Sequence, residues 1–492
     1  MSTPDFFRAR LDSMIDMRHP LAVLATRMPW DEIEAALAPL LAHKDRTGQV
    51  IEDADLFGPT VELVGAGVSK RGRPRLPMRL MVSLLYLKHA FNESDESLVQ
   101  RWSENVVWQF FSGMEYYEPK LPCDHTQIGR FRRVLGEAGV EQLLKTTIEA
   151  AVGMKAIKAA EFERVIVDTT VQEKAIAHPT DSRLLEVARA KITRLAKWAG
   201  LKLRQTHERE GKTLRRRAGG YAHAKQFKRL KRVLRRQRTI LGCVLREVRR
   251  KLAALPRDAQ IRLELWLERA ERIHTQRPHD KNKLYALHAP EVECIGKGKA
   301  RKPFEFGVKS SLVITHKQGL MVGARTFPGN PYDGHTLAAQ LEQTDILLQD
   351  IGVKPTTAVV DLGFRGVDAE IAPVQLIHRG KSKTLTAIQR KWLKRRQAIE
   401  PAIGHAKFDH RMDRCWLQGA TGDALHTVLC AAGFNIRWLL RAIVRRGLKA
   451  AFLRLVSLAA WAGRLSMALQ PRLTDLGVLI RLPVARALAS PT

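Results

Sequence analysis

The chain has 492 residues, 45% hydrophobic and 27% charged, with 83 Lys and Arg against 50 Asp and Glu, a formal net charge of +33. That length and apolar content suit two or three ordinary globular cores and exclude a disordered chain. The cationic excess opposes compaction unless a polyanion offsets it, so nucleic acid is the expected partner, ahead of a ribosome-type or polybasic membrane-surface role.

The N-terminus, Met1-Ser2-Thr3-Pro4-Asp5, lacks the basic-then-apolar pattern of a signal peptide. Residues 1–155 read as a helical domain for DNA binding or oligomerisation. Arg71-Gly72-Arg73-Pro74 reads as a basic linker into a helix, or as an extended run narrow enough for an A·T-rich minor groove. Pro77 to Ala90 is an apolar-periodic helix. Asn92-Glu93-Ser94-Asp95-Glu96-Ser97 starts another, which is expected to run through Leu98, Trp102, Val106 and Phe110. Pro122-Cys123-Asp124 breaks the pattern, and Asp124 caps a helix through Ile128, Phe131 and Leu135. The pair reads equally as a helix-turn-helix or as plain helical packing.

From Arg164 onward strands enter. Val165 to Val171, Lys302 to Thr315, Leu320 to Phe327, Thr357 to Asp361 and Val374 to Ile377 are strand candidates, with Lys317-Gln318-Gly319 as a hairpin turn and His335 to Ile351 as a helix. Residues 160–182 and 291–447 therefore form an α/β domain with a mixed sheet and flanking helices. Residues 183–290 interrupt it as a basic helical insertion. Between Arg183 and Pro256 there are 24 Lys and Arg and 4 Asp and Glu. Lys228, Arg229, Lys231, Arg232, Arg235 and Arg236 lie on a helix with a thin stripe of Leu230, Val233, Leu234 and Leu241, and read as a DNA-backbone clamp rather than a solvated face. Residues 448–492 form a helical tail. Its apolar stretch, Leu448 to Gly463, is shorter than a membrane span and carries Lys449 and Arg454. Five scattered cysteines, Cys123, Cys243, Cys294, Cys415 and Cys430, form no Cys-x-x-Cys pair, which points to a reducing, cytoplasmic location and away from a zinc site or disulfide framework.

Three acids stand out among the 50. Asp168 ends the run Val165-Ile166-Val167, and Asp361 ends Val359-Val360; an unpaired carboxylate is costly in such a setting. Two acids at strand ends of one domain suit a ligand site, since ligands of α/β sheets gather there. Glu400 lies between Arg396 and Lys407, but Pro401 follows it, so either a helix kinks here or a new one starts with Glu400 as its cap. Three carboxylates make a hard, oxygen-rich site of the kind Mg²⁺ or Mn²⁺ prefers, and two such ions serve phosphodiester chemistry. Asp333, in Asn330-Pro331-Tyr332-Asp333-Gly334-His335, reads as a turn or cap. His178 reads as an isolated histidine, and Asp409 to Arg414 as a salt-bridged or phosphate-facing segment. No Walker-type loop supports nucleotide hydrolysis.

Together these stretches resemble bacterial insertion-sequence transposases of the DDE type, close to the group called IS-five. Asp168-Thr169-Thr170 with His178-Pro179-Thr180-Asp181-Ser182 is similar to the first-acid motif, and Val360-Asp361-Leu362-Gly363-Phe364-Arg365-Gly366 to the second. Arg396-x3-Glu400-x6-Lys407 is similar to the third. The Tyr of that signature falls on Leu393, beside Trp392 as an aromatic substitute. Gly72-Arg73-Pro74 and the segment Pro122 to Leu135 look like the group's N-terminal domain, and Asp409 to Arg414 and Gly433 to Arg437 look familial as well. The resemblance implies an RNase H-like catalytic fold and Asp168, Asp361 and Glu400 as catalytic metal ligands. It also implies two Mg²⁺ ions, with Mn²⁺ able to substitute, cleavage at terminal inverted repeats, strand transfer into target DNA by the 3′-hydroxyl, and a homodimer or higher multimer. Arg396 and Lys407 are expected on DNA. The residues alone leave open a nuclease without strand transfer, a non-catalytic DNA-binding descendant, and an RNA-binding protein.

Overall fold

Ser94 opens its helix by a reciprocal cap. Its hydroxyl accepts the Ser97 N–H, and the Ser97 hydroxyl accepts the Ser94 N–H. The computed structural model describes residues 9–41, 43–44, 50–51, 76–298 and 302–447. Arg71-Gly72-Arg73-Pro74 and the tail 448–492, with Leu448 to Gly463, lie outside the described residues. The N-terminal part holds α1 (Met78–Ala90), α2 (Asp95–Glu104), α3 (Val106–Phe111) and α4 (His125–Gly153). The sequence pattern predicts one continuous helix through Val106 and Phe110. Asn105 divides it: it ends α2, and its side chain accepts the Trp108 N–H to start α3, because a short amide competes for backbone groups. Asp124 caps α4 as expected, accepting the Thr126 N–H.

The sheet has six strands: β1 (Arg164–Glu173), β2 (Glu293–Gly296), β3 (Phe304–Thr315), β4 (Met321–Phe327), β5 (Thr357–Val359) and β6 (Gln375–Ile377). β3 lies antiparallel beside β1, with β2 and β4 both antiparallel on its other edge. β5 lies parallel to β1, and β6 parallel to β5. The sheet is thus mixed, as expected; sequence patterning misses β2, four residues long, and also a short antiparallel pair, His43–Lys44 with Val50–Ile51, in the segment expected to be helical. Val165, Ile166 and Val167 are all buried, as a strand covered on both faces requires.

The insertion forms α5 (Asp181–Trp198), α6 (Glu208–His223), α7 (Phe227–Leu252) and α8 (Arg257–Thr275). Its apolar side is wider than a thin stripe. Leu185, Ile192, Leu241, Val244, Val248, Leu267 and Ile273 share a buried cluster separate from the main core, so these helices support one another by packing. The main core runs from the N-terminal helices through the sheet into a final helix, α12 (Gly419–Gly447). By length and composition α12 could cross a membrane, but most of it is buried inside the protein. Buried Asn435 fixes it: its side chain pairs with both backbone groups of Met321 and donates to the Thr147 hydroxyl.

Candidate active site

The register of β1 and β5 positions two acids. Arg164, Val165 and Ile166 pair in parallel with Thr357, Ala358 and Val359. Carried two residues further, the same register sets Asp168 beside Asp361. β5 has ended by then, and Asp361 turns the chain by accepting the Gly363 N–H at 2.8 Å. Asp168 sits within β1, largely buried, and accepts the Thr169 N–H. Burial and the neighbouring Asp361 charge push the Asp168 carboxyl up to about 6, against the opposing pull of Arg396.

Glu400 comes from α11 (Ile399–Phe408). The chain neither kinks at Pro401 nor uses Glu400 as a cap. α10 (Ala387–Lys394) passes through a 3-10 turn, Arg395–Ala398, into α11. Pro401 then falls in the first turn, where its missing N–H costs nothing. Arg396 joins two acids, with its guanidinium 3.3 Å from the Asp168 carboxylate and 3.4 Å from that of Glu400. Three acids 193 and 39 positions apart in sequence are therefore linked by one strand register and one shared arginine.

Lys407 is placed differently from expectation. It is buried, with its ammonium 3.0 Å from Glu305 and 3.9 Å from Glu173, so a phosphate contact would first have to break those ion pairs. Trp392 lies under the Arg164 guanidinium, 3.4 Å from ring centre, where it fastens α10 to the start of β1. His178 stacks edge-on against Phe306, a packing role. In the Asp409–Arg414 segment, Asp409 pairs with His405 and Arg414 with Asp413, while Arg411 donates to the Asn92 carbonyl. The clamp residues Lys228, Arg229, Lys231, Arg232, Arg235 and Arg236 are all exposed on α7, and Arg236 pairs with Glu210.

Sequence reasoning missed two neighbours of the site. Asp333 does start a 3-10 turn as expected, but its carboxylate also accepts from the Thr169 hydroxyl at 2.9 Å and from Lys309 at 2.8 Å. Lys297, in the loop after β2, lies near Asp168, Asp333 and Glu305, and burial lowers its ammonium below the usual range. The Asp333 signal was present but hidden by its turn-forming neighbours; Lys297 had none.

The donors gathered here are carboxylate oxygens, which suit a hard divalent ion. Gly363 makes the fit tighter. A Cβ there would sit 2.8 Å from Asp333 Oδ2 and 3.0 Å from Asp361 Oδ1, so a side chain at this position would crowd the space between these oxygens. Elsewhere, His89 of α1 and His426 and Cys430 of α12 bring one ligand atom each within 4.8 Å of one another, all buried. That softer set suits zinc rather than Mg²⁺. Lys88, Arg132 and Arg411 direct positive charge at it, so it reads as packing between two helices.

Residues 44–134 match the family described as a transposase domain (DUF772), and residues 368–440 the family described as a transposase DDE domain. The second match contains Glu400. A protein of Rhizobium meliloti called "uncharacterized protein ORF8 in nfe locus" is 42% identical over 223 residues, which are 45% of this chain and 95% of that protein. No solved structure matches the chain.

Proposed function

The chain belongs to the DDE transposases, and on that premise we propose that it binds the terminal inverted repeats of an insertion sequence, cleaves there and joins the freed 3′ end to target DNA. The observation that carries this reading is the convergence of Asp168, Asp361 and Glu400 through the β1–β5 register and Arg396. Asp168, Asp361 and Glu400 would hold two Mg²⁺ or Mn²⁺ ions, which when bound supply activation of the attacking oxygen and charge stabilisation of the leaving one. In the first step a water oxygen bonds to phosphorus and the 3′-oxygen departs. In the second the 3′-hydroxyl attacks a target phosphodiester and displaces the bridging oxygen of that strand.

The protein's own groups position these events. Arg396 offsets the charge of Asp168 and Glu400 and is the cation best placed for the scissile phosphate. Lys407 holds β3 to α11 through Glu305. The exposed cations of α7 supply sequence-independent grip on the backbone. The strand order, with β3 antiparallel and β5 and β6 parallel to β1, supports an RNase H-like reading of residues 160–182 and 291–447. The motifs around Asp361 and Glu400 support a place near the IS-five group. Residues 1–155 then serve end binding or assembly into a dimer or higher multimer. Five free cysteines support a reducing, cytoplasmic setting.

The test uses a plasmid carrying matched element ends, Mg²⁺ and a target plasmid. Wild type nicks the ends and joins them to the target; Asp361→Asn and Glu400→Gln bind the ends in a gel shift but do neither. Cutting without joining would replace this reading with a plain nuclease, and near-normal nicking by either variant would remove that residue from the site.

A further inference from the structure

Asp333 has one oxygen engaged and one beside Gly363. Oδ1 receives both the Thr169 hydroxyl and the Lys309 ammonium. Lys309 also donates to the Pro331 carbonyl, which sets the approach of the loop that carries Asp333. Oδ2 lies beside Gly363. It and Asp361 Oδ1 both lie within 3.0 Å of the point where a Gly363 Cβ would stand, so the two oxygens are no more than about 6 Å apart. A cation with ligand distances of about 2.0–2.6 Å joins oxygens at such spacing after only a small side-chain adjustment.

β1 touches two sets of acids, one from each face. Asp168 and Thr169 are consecutive in a strand, and their side chains leave on opposite faces. Asp168 meets Arg396 and, through it, Glu400. Thr169 meets Asp333, which is carried on the turn Asp333–Thr336 leading into α9 (Leu337–Leu348). The chain after β5 closes the ring, with Asp361 beside Asp168 by register and Gly363 against Asp333.

We propose that Asp333 is a fourth carboxylate of the metal site, lending Oδ2 to the ion held by Asp361 while Thr169 and Lys309 fix its orientation through Oδ1. An ordinary turn acid needs no such anchorage from two different strands. Gly363 leaves room where the two acids meet, since a Cβ there would lie 2.8 Å from Asp333 Oδ2 and 3.0 Å from Asp361 Oδ1. The inference rests on the two-ion reading of this site, and its test keeps the two apart.

The test is Mn²⁺ binding by the full-length protein, read by isothermal titration and by electron paramagnetic resonance of free Mn²⁺, with no DNA and no turnover. Asp333→Asn keeps the acceptor for Thr169 and Lys309 and removes the charge. The expected result is Mn²⁺ affinity at one of two sites weaker by about tenfold or more, the scale on which groups supporting a metal act, with melting in EDTA unchanged. Asp361→Asn should lose affinity at the same site. Asp333→Glu and Asp333→Gln form a pair of equal length that differs in charge, and give the same comparison if the Asn variant is unstable; Glu should bind more tightly than Gln. Wild-type binding by the neutral Asp333 variants beside a loss in Asp361→Asn would overturn the role of Asp333 alone. Wild-type binding by all of them would overturn the metal-site reading itself.

Discussion

Asp168 couples the site to stability. Its folded carboxyl titrates near 6, above the 3.8 of an exposed Asp. The folded protein therefore holds this proton more tightly than the unfolded chain. The associated stabilisation is fully present below the unfolded value and is lost as pH rises from about 4 through 6. A shift of this size is worth roughly 3 kcal/mol. Melting in EDTA should thus fall across that window, and Asp168→Asn should flatten the fall and raise the melting temperature at pH 7. Divalent cations should restore wild type but not the variant, because coordination needs the charge. A flat pH profile in wild type would show that Asp168 is not strained by its neighbours. At this scale strand-end placement and motif spacing single out the three acids proposed as metal ligands. They do not single out Asp333, since the features that mark a turn mask a second use of the same side chain. The true setting of Lys407 was not legible either, because Glu305 and Glu173 come from other strands.

Among the elements, α7 carries a dense run of exposed positive charge. Lys228, Arg229, Lys231, Arg232 and Arg235 are exposed, while Arg236 is paired with Glu210. An exposed pair of this kind contributes little to stability, so replacing all six with Gln should leave the fold intact; the buried cluster of Leu241, Val244 and Val248 holds the helix in place. DNA affinity should fall, and the log–log salt dependence should flatten by up to about 4.5 if the five unpaired cations each meet a phosphate. An unchanged slope would mean that α7 faces another surface. α11 has a different lesson. Pro401 suggested a break, yet a 3-10 turn lets Arg396 lie one step before the helix and still reach Glu400. A second structural link ties β1 to α12: buried Lys174, just beyond β1, pairs with Asp423 at 2.7 Å and Glu291 at 2.8 Å. Asp423→Ala leaves that ammonium half paired and should cost about 3 kcal/mol in urea unfolding; a loss under about 1 kcal/mol would show the pair to be dispensable.

The whole molecule has two apolar clusters of consequence. One joins the N-terminal helices, the sheet and α12; the other lies inside the insertion. The first depends on a close crossing, since a Cβ on Gly433 would lie 2.6 Å from the His89 carbonyl carbon. Gly433→Ala should therefore destabilise by about 1–3 kcal/mol through overpacking, although alanine favours a helix. Because the insertion does not share this contact, its unfolding midpoint, followed by the fluorescence of Trp198 and Trp266 in single-tryptophan variants, should not move. A shift of both midpoints together would mean that the two clusters unfold as one. The charge is divided on the same lines: the segment from Arg183 to Pro256 contributes +20 of the +33, so most of the net positive charge is carried outside the sheet.

By itself the sequence determined the mixed class of the fold and the charge density of the segment from Arg183 to Pro256, and it singled out the three acids on which the chemistry is proposed to rest. Those features are local: strand endings, caps, periodicity and charge density are written in neighbouring residues. Tertiary structure decided what depends on distant partners. The parallel pairing of β1 with β5 brings Asp361 beside Asp168, and no nearby residue signals that register. The packing of α9 and β3 turns Asp333 toward the same rim. Burial between strands makes Lys407 a structural cation. Each outcome depends on groups tens or hundreds of positions apart, whose energies exist only once the chain has folded.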